Sequence, residues 1–216
     1  MDIAIVGGTG KYGFGLALRL SRAGHNVMIG SRSGDKAKAS AEEARAMLGA
    51  KVQVGGATNE AAAGSADVVF LTVPFAAHKN TCEAIAPNLR SGTVLVDATN
   101  PGASVEFAAP ADKSVAEEAA ELLPPGVRVV AGFQTVSAAR MRDLEVPLEG
   151  DILVCGDDSE AKETVGRLAE GLPNLRWVDA GPLAMARIVE RLTALLVSIN
   201  KRYGVKGAGV KIVGID

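Results

Sequence analysis

Gly8, Gly10 and Gly13 form a G-x-G-x-x-G spacing near the start of a 216-residue chain, with Thr9, Lys11 and Tyr12 between them. Glycines at this spacing allow a tight turn, a close approach of backbone amides to a pyrophosphate, and a helix packed hard on a strand. Glycines also make ordinary turns, so the flanking sequence decides. Asp2–Val6 is short, apolar and β-branched, and Leu16–Gly24 has helix-forming residues ending on a glycine stop. A strand, a glycine turn and a helix N-terminus with unpaired N–H groups predict a dinucleotide site. A second group follows the next strand, His25–Gly30: Ser31, Arg32 and, four residues on, Lys36. NAD enzymes usually place a carboxylate there for the ribose hydroxyls. Here a hydroxyl, a guanidinium and an ammonium stand in its place, and these can hold a 2′-phosphate. Asp35 reads as part of the next helix's first turn, where a carboxylate is favoured anyway. NADP(H) is the expected cofactor.

The composition narrows the partners. There are 23 basic and 25 acidic residues, so 23 − 25 = −2, and aromatic content is 4%. A slightly acidic chain poor in aromatics offers neither a polyanion footprint nor a stacking platform, so no nucleic-acid partner is expected. Cys82 and Cys155 fit no metal spacing and are too few for a disulfide framework. They read as reduced core thiols, and no metal site is expected. No apolar run approaches a membrane span and no leader precedes the first strand, so a cytoplasmic protein without membrane contact is expected.

The elements that must position these groups alternate in type. Strands are expected at Asp2–Val6, His25–Gly30, Lys51–Val54, Ala66–Pro74, Thr93–Asp97 and Val127–Ala131, with helices between them at 35–48, from Thr58, at 78–89 and at 114–123. Residues 103–113 read as a loop. This order predicts an α/β, Rossmann-type doubly wound parallel sheet. Ligands bind beyond the carboxyl ends of such strands, which puts Thr72, Val73 and Pro74, Asn100 in the exit loop after Asp97, and Gln134–Ser137 at the rim. His78 follows Pro74 by four residues. It reads as a surface or capping group before it reads as a group facing the cofactor, and His25 as a turn residue. Strands at Asp151–Gly156 and Arg176–Asp179, a helix at 158–172 and a long terminal helix to about Tyr203 complete a small C-terminal α/β unit. Residues 1–147 are thus the NADP-binding domain and 148–216 the smaller one. Ile188, Leu192, Leu195, Leu196 and Ile199 recur at helical spacing, as core first and dimer interface second, and a homodimer is expected.

With these residues in place, the chain resembles the NADP oxidoreductases that use the deazaflavin coenzyme F420. The resemblance rests on Gly7-Gly8-Thr9-Gly10 with Gly13 and Gly15, Gly30-Ser31-Arg32, and Leu71-Thr72-Val73-Pro74. Narrower markers are Val154-Cys155-Gly156-Asp157-Asp158 and Asp179-Ala180-Gly181-Pro182-Leu183 with Arg187. It implies that Thr9, Ser31, Arg32 and Lys36 hold the NADP phosphates and that Val73 and Pro74 border the nicotinamide half. It also implies that Gln134, Thr135, Val136, Ser137, Gly207, Ala208 and Arg191 of the terminal helix form the deazaflavin pocket. Gln134 is a departure, since the family often carries His there.

Hydride exchange between two planar coenzymes needs neither nucleophile nor metal, and no catalytic acid or base is expected. The protein's task is to hold the rings face to face at roughly 3–3.5 Å. Arg140, Arg187, Arg191, Lys206 and Lys211 fall in segments expected near the deazaflavin's anionic tail and suggest a basic exit. Two other readings fit the residues: an NADPH-dependent reductase of another small substrate (carbonyl, imine or flavin), and a non-catalytic NADPH-sensing module.

Overall fold

In the computed structural model, which describes residues 1–102 and 112–215, apolar runs become strands covered by helices on both faces. The strands are β1 (Asp2–Val6), β2 (Asn26–Ser31), β3 (Val54–Thr58), β4 (Val68–Leu71), β5 (Val94–Asp97), β6 (Arg128–Ala131), β7 (Gly150–Gly156) and β8 (Leu175–Asp179). The helices are α1 (Lys11–Arg22), α2 (Gly34–Leu48), α3 (Asn59–Gly64), α4 (His78–Ile85), α5 (Val115–Leu122), α6 (Ala138–Arg142), α7 (Ser159–Glu170) and α8 (Ala186–Tyr203). They build one eight-stranded sheet in the order β3-β2-β1-β4-β5-β6-β7-β8. The first six strands in that order run parallel, as the alternation predicts, while β7 pairs antiparallel with β6 and carries β8 parallel beside it. The winding reverses between β1 and β4, where Val6 stands beside Leu71. That reversal opens the crevice in which this kind of sheet binds ligands.

Strand alternation sorts the core into two layers. Ile3, Ile5, Phe70, Val96 and Ile152 face α1, α2 and α7 through Leu16, Leu20, Ala41 and Leu168. Ala4, Val69, Leu71, Leu95 and Cys155 face α3, α4, α5 and α8 through Ala62, Ile85, Ala119 and Val189. Both cysteines are buried free thiols, and burial pushes the Cys155 thiol up to about 12.

Three expectations change. The third strand is at Val54–Thr58, not 51–54. Gly55 and Gly56 hide it from a propensity reading, and a side chain at Gly56 would run into the α2 backbone at Ala37 and Lys38. The second strand extends to Ser31. The rim segment after β6 contains α6, a five-residue helix whose local sequence gives no strong signal. A distant residue holds it. Arg19, buried on α1, donates to the carbonyls of Met141, Arg140, Asp143 and Val146 at 2.6–2.9 Å. A guanidinium is well placed there, because the last carbonyls of a helix lack partners and carry partial negative charge. Most of the expected 103–113 loop lies outside the described residues.

The C-terminal helices are fastened by charge. Ser114 and Glu117 form a capping box at the start of α5, and Arg187 of α8 grips Glu117 at 2.5 and 2.7 Å. The Arg187 hydrogen bond and the Ser114 bonds outweigh burial and hold the Glu117 carboxyl down at about 2. Gly204, at φ 64, ends α8 in the left-handed conformation usual for that position.

The α1–α6 contact has no spare room. A Cβ at Gly15 would lie 2.7 Å from Arg142 N and Met141 C. Gly15→Ala should therefore push the two helices apart and cost about 1–3 kcal/mol, the range for overpacking a filled core. Urea unfolding of the variant checks this, and an unchanged midpoint would refute the tight contact.

Candidate functional site

At the reversal point, Gly10 opens α1 with no capping side chain and no acid in the first turn, leaving the first N–H groups of the helix for an anion. The turn itself is anchored from behind. Gly8 N donates to Gly30 O at 2.9 Å and to Ile5 O at 3.0 Å, and Gly7 N donates to Asn59 Oδ1 at 3.2 Å. Thr9, Gly10, Lys11 and Tyr12 form the floor of a cleft of about 1210 Å³. That exceeds the roughly 300–1,000 Å³ of an ordinary single-ligand site.

The β2–α2 turn supplies one end of the cleft. Ser31, Arg32, Ser33 and Lys36 line it. Ser31 Oγ accepts from Ser33 N at 3.3 Å, which leaves the hydroxyl proton for an outside acceptor. Ser33 caps α2, and Asp35 lies 3.9 Å from Lys38. Among the described residues no ion pair neutralises Arg32 or Lys36, so this end is a cationic rim. Thr72, Val73 and Pro74 line the wall after β4, with Thr72 Oγ1 donating to Val6 O at 2.8 Å.

The wall opposite comes from β5, β6 and α8. Asn100, Gln134, Thr135, Val136 and Ser137 line it together with Thr193, Leu196, Val197, Asn200 and Ala208. Phe133 turns the chain into this segment at φ 72 and packs edge-on against Phe70 at 5.3 Å. Tyr12 OH donates to Phe133 O at 2.6 Å, and burial raises its phenol well above the usual range, so it serves as a neutral donor. The tail is tied in by Ala208 N donating to Asn200 Oδ1 at 2.9 Å and by Ser137 Oγ donating to Lys206 O at 2.5 Å. Asn100 Nδ2 and Gln134 Oε1 are buried without a hydrogen-bond partner among the described residues. Such atoms are costly unless something satisfies them, and both belong to residues of the cleft wall.

Most of the residues expected at the site thus meet in one cleft. Gly8 and Gly13 sit behind its floor as packing positions, and Gly207 borders a small adjoining hollow with Arg140. Arg191 is half-buried on α8 and is not part of the lining. Arg187 is committed to Glu117, which removes it from the expected basic exit. The reading of His78 as a surface or capping group, or as one facing the cofactor, is corrected. Its side chain is 2% exposed and its Nε2–H donates to Asp97 Oδ2 at 2.7 Å.

Four residues of the site or its support carry little signal in sequence. Asn59 carried a faint signal as the residue after the capping Thr58. Thr193 and Asn200 are seven apart, which places them on one face of α8. Asp97, the last residue of an apolar strand, is a carboxylate where none is needed for solubility. Its role is electrostatic. Burial alone would depress the His78 imidazolium, but the hydrogen bonds to Asp97 and Cys82 prevail and raise it to about 10. Glu190 of α8 faces the same pair. Burial raises its carboxyl to about 7 against the pull of the Val115 and Ala116 N–H groups it accepts from. Among the described residues no cluster of three His, Cys, Asp or Glu side chains could hold a metal.

A family model described as coenzyme F420-dependent NADP oxidoreductase matches residues 2–101. The F420-dependent NADP reductase of Methanothermobacter thermautotrophicus is 41% identical, the alignment covering 100% of this chain and 96% of that one. The enzyme of the same description from Methanocaldococcus jannaschii is 38% identical with both chains fully covered. Among solved structures, a chain from Arthrobacter sp. FB24 described as a candidate F420-dependent NADP reductase is 26% identical. It superposes with a TM-score of 0.83, covering 99% of this chain and 100% of that one.

The raised His78 value has a definite sign. Its folded-state pKa of about 10 lies above the ordinary 6.5. The pair therefore contributes its full stabilisation below about 6.5 and loses it as pH climbs through about 10. The chain has two histidines, so nitrogen-15 NMR of histidine-labelled protein resolves them. At about pH 8, where an ordinary imidazole is neutral, His78 should still show the imidazolium pattern and His25, whose pKa burial lowers, the neutral one. A neutral His78 at that pH would contradict the charged pair.

Proposed function

The chain belongs to the coenzyme F420-dependent NADP oxidoreductase family, and we propose that it uses the single cleft between the glycine turn and α8 to seat both coenzymes. The protein is an NADP-dependent oxidoreductase that transfers a hydride between NADP(H) and F420. The observation that carries the assignment is relatedness along the whole chain, at 38–41% identity, to three F420-dependent NADP reductases.

The residues divide the work by their chemistry. The N-terminus of α1, with Thr9 and Gly10, takes the pyrophosphate, and Lys11 adds charge at its edge. Ser31, Arg32 and Lys36 take the 2′-phosphate, supported by the absence of an acid at the end of β2 and by the unpaired cationic rim. Val73 and Pro74 border the nicotinamide half, with Tyr12, Thr72 and Asn100 around it. Gln134–Ser137, Leu196, Val197 and Ala208 face the deazaflavin. The orphaned Gln134 Oε1 and Asn100 Nδ2 offer one acceptor and one donor to bound rings. The bound coenzymes supply the redox chemistry themselves, C4 of the nicotinamide exchanging hydride with C5 of the deazaflavin. The chain's part is orientation and exclusion of water, so no side chain is assigned as acid or base. Residues 1–147 then form the NADP-binding domain, and residues 148–216 complete the deazaflavin side.

Two exposed apolar residues support a homodimer through α8. Ile188 and Leu195, each 56% exposed, lie two helical turns apart on one face. Among the described residues no helix is long and apolar enough to cross a membrane. The two buried free thiols fit the reducing cytoplasm.

Three measurements test this reading. Mixing the protein with NADPH and oxidised F420 without oxygen should bleach the deazaflavin absorbance, and failure to do so would overturn the reaction. Arg32→Ala should weaken NADP by roughly 2–3 kcal/mol, the scale of a lost charge-assisted hydrogen bond, and leave NAD use nearly unchanged. Equal losses for both nucleotides in steady-state kinetics would remove Arg32 from the 2′-phosphate. Light scattering should give twice the chain mass for the native protein and the chain mass for Leu195→Glu. A native monomer would end the dimer proposal.

A further inference from the structure

Asp97 joins three segments of the cleft lining through one residue. Its Oδ2 accepts from His78 Nε2–H at 2.7 Å, its Oδ1 accepts from Thr99 N at 2.9 Å, and its carbonyl accepts from Gln134 Nε2 at 2.9 Å. His78 opens α4 directly after the wall that begins at Thr72, and Ala77 and Thr81 on either side of it line the cleft. Thr99 lies between Ala98 and Asn100, which line the opposite wall. Gln134 lies in that same wall and is itself tied to α8, because Thr193 Oγ1 donates to Gln134 O at 3.0 Å.

We propose that the buried His78–Asp97 pair is a positioning device for the hydride transfer, setting the nicotinamide wall and the deazaflavin wall of the cleft relative to each other. This rests on the hydride exchange given above and adds two residues that touch neither coenzyme.

Stability alone does not account for the pair. Both side chains are 1–2% exposed, and an ion pair so buried gains little over an apolar pair of the same size, because desolvation offsets the attraction. Its geometry is directional, however, and apolar packing would not fix a hydrogen-bond register among three loops. The neighbouring ionisable groups are Cys82, whose Sγ lies 3.8 Å from His78 Nε2, and Glu190, which reaches the pair electrostatically from α8. Neither substitutes for the three bonds at Asp97. Hydride transfer is sharply distance-dependent, so a small relative shift of the walls slows the step without loosening the phosphates. Those are held elsewhere, by α1 and the β2–α2 turn.

The test compares Asp97→Asn, His78→Gln and the double variant with the native protein. In single turnover at saturation the hydride step should slow by on the order of tenfold to a hundredfold in each single variant. The calorimetric Kd for NADP⁺ should stay within about twofold, since distant sites act independently. The double variant should be no slower than the slower single one, because either change already breaks the pair. Hydrogen exchange on the ligand-free protein should quicken about tenfold in residues 98–100 and 133–137, and far less in β4.

Variants that melt cooperatively and transfer hydride within about twofold of native would overturn the proposal. So would multiplicative losses in the double variant, or failure of both single variants to fold, which would make the pair a folding element. If the native protein itself moves no hydride, the fault lies with the reaction assigned above, and the exchange measurement still reads the pair.

Discussion

The site depends on a contact that admits no side chain. A Cβ at Gly8 would lie 2.7 Å from Ile5 O, and one at Gly13 would lie 2.5 Å from Thr72 Oγ1. Helix α1 therefore starts with its backbone pressed against the ends of β1 and β4. That closeness aims its free N–H groups along the cleft floor instead of over the sheet edge. The neighbouring anchors follow from it. Gly30 O and Asn59 Oδ1 are within reach of the turn's amides because the turn lies flat on β2 and α3.

One rule recurs at three buried side chains: the ionisable group is set against backbone that lacks a partner. Arg19 serves the carbonyls at the end of α6, Glu190 the first amides of α5, and Asp97 an amide of its own exit loop. In each case the backbone group is one that a short helix or a loop leaves orphaned. Two of these pairings, those of Arg19 and Glu190, span long stretches of sequence. They explain how irregular segments around the cleft hold their shape without long helices of their own.

That rule also divides what the sequence discloses from what it conceals. The glycine spacing, the Ser31–Arg32 turn and the apolar strands are local patterns, and each is readable where it stands. The resemblance carried by Cys155–Asp158 and Asp179–Leu183 extended the reading to the second coenzyme. Propensity misplaces strand β3 because Gly56 answers to the α2 backbone and Gly55 to the Met28 side chain, demands that propensity does not record. Helix α6 gives no local signal because its partner, Arg19, lies on α1. A lone histidine near a strand end carries no mark of an aspartate that lies on another strand, so His78 reads as a surface group. Arg187 reads as a free cation because Glu117, its partner, stands far from it in sequence.

The cleft is built from opposite ends of the chain, with the glycine turn from the first residues and Leu196, Asn200 and Ala208 from the last turns of α8 and the tail. Synthesis proceeds from the N-terminus, and a domain's early parts emerge first. The β1–α1 turn leaves the ribosome long before α8 exists, so a nascent chain carries the residues of the cleft floor but none of the far wall contributed by α8. Translation thus completes the cleft last: until α8 and the tail have been made, the glycine turn faces an unfinished wall.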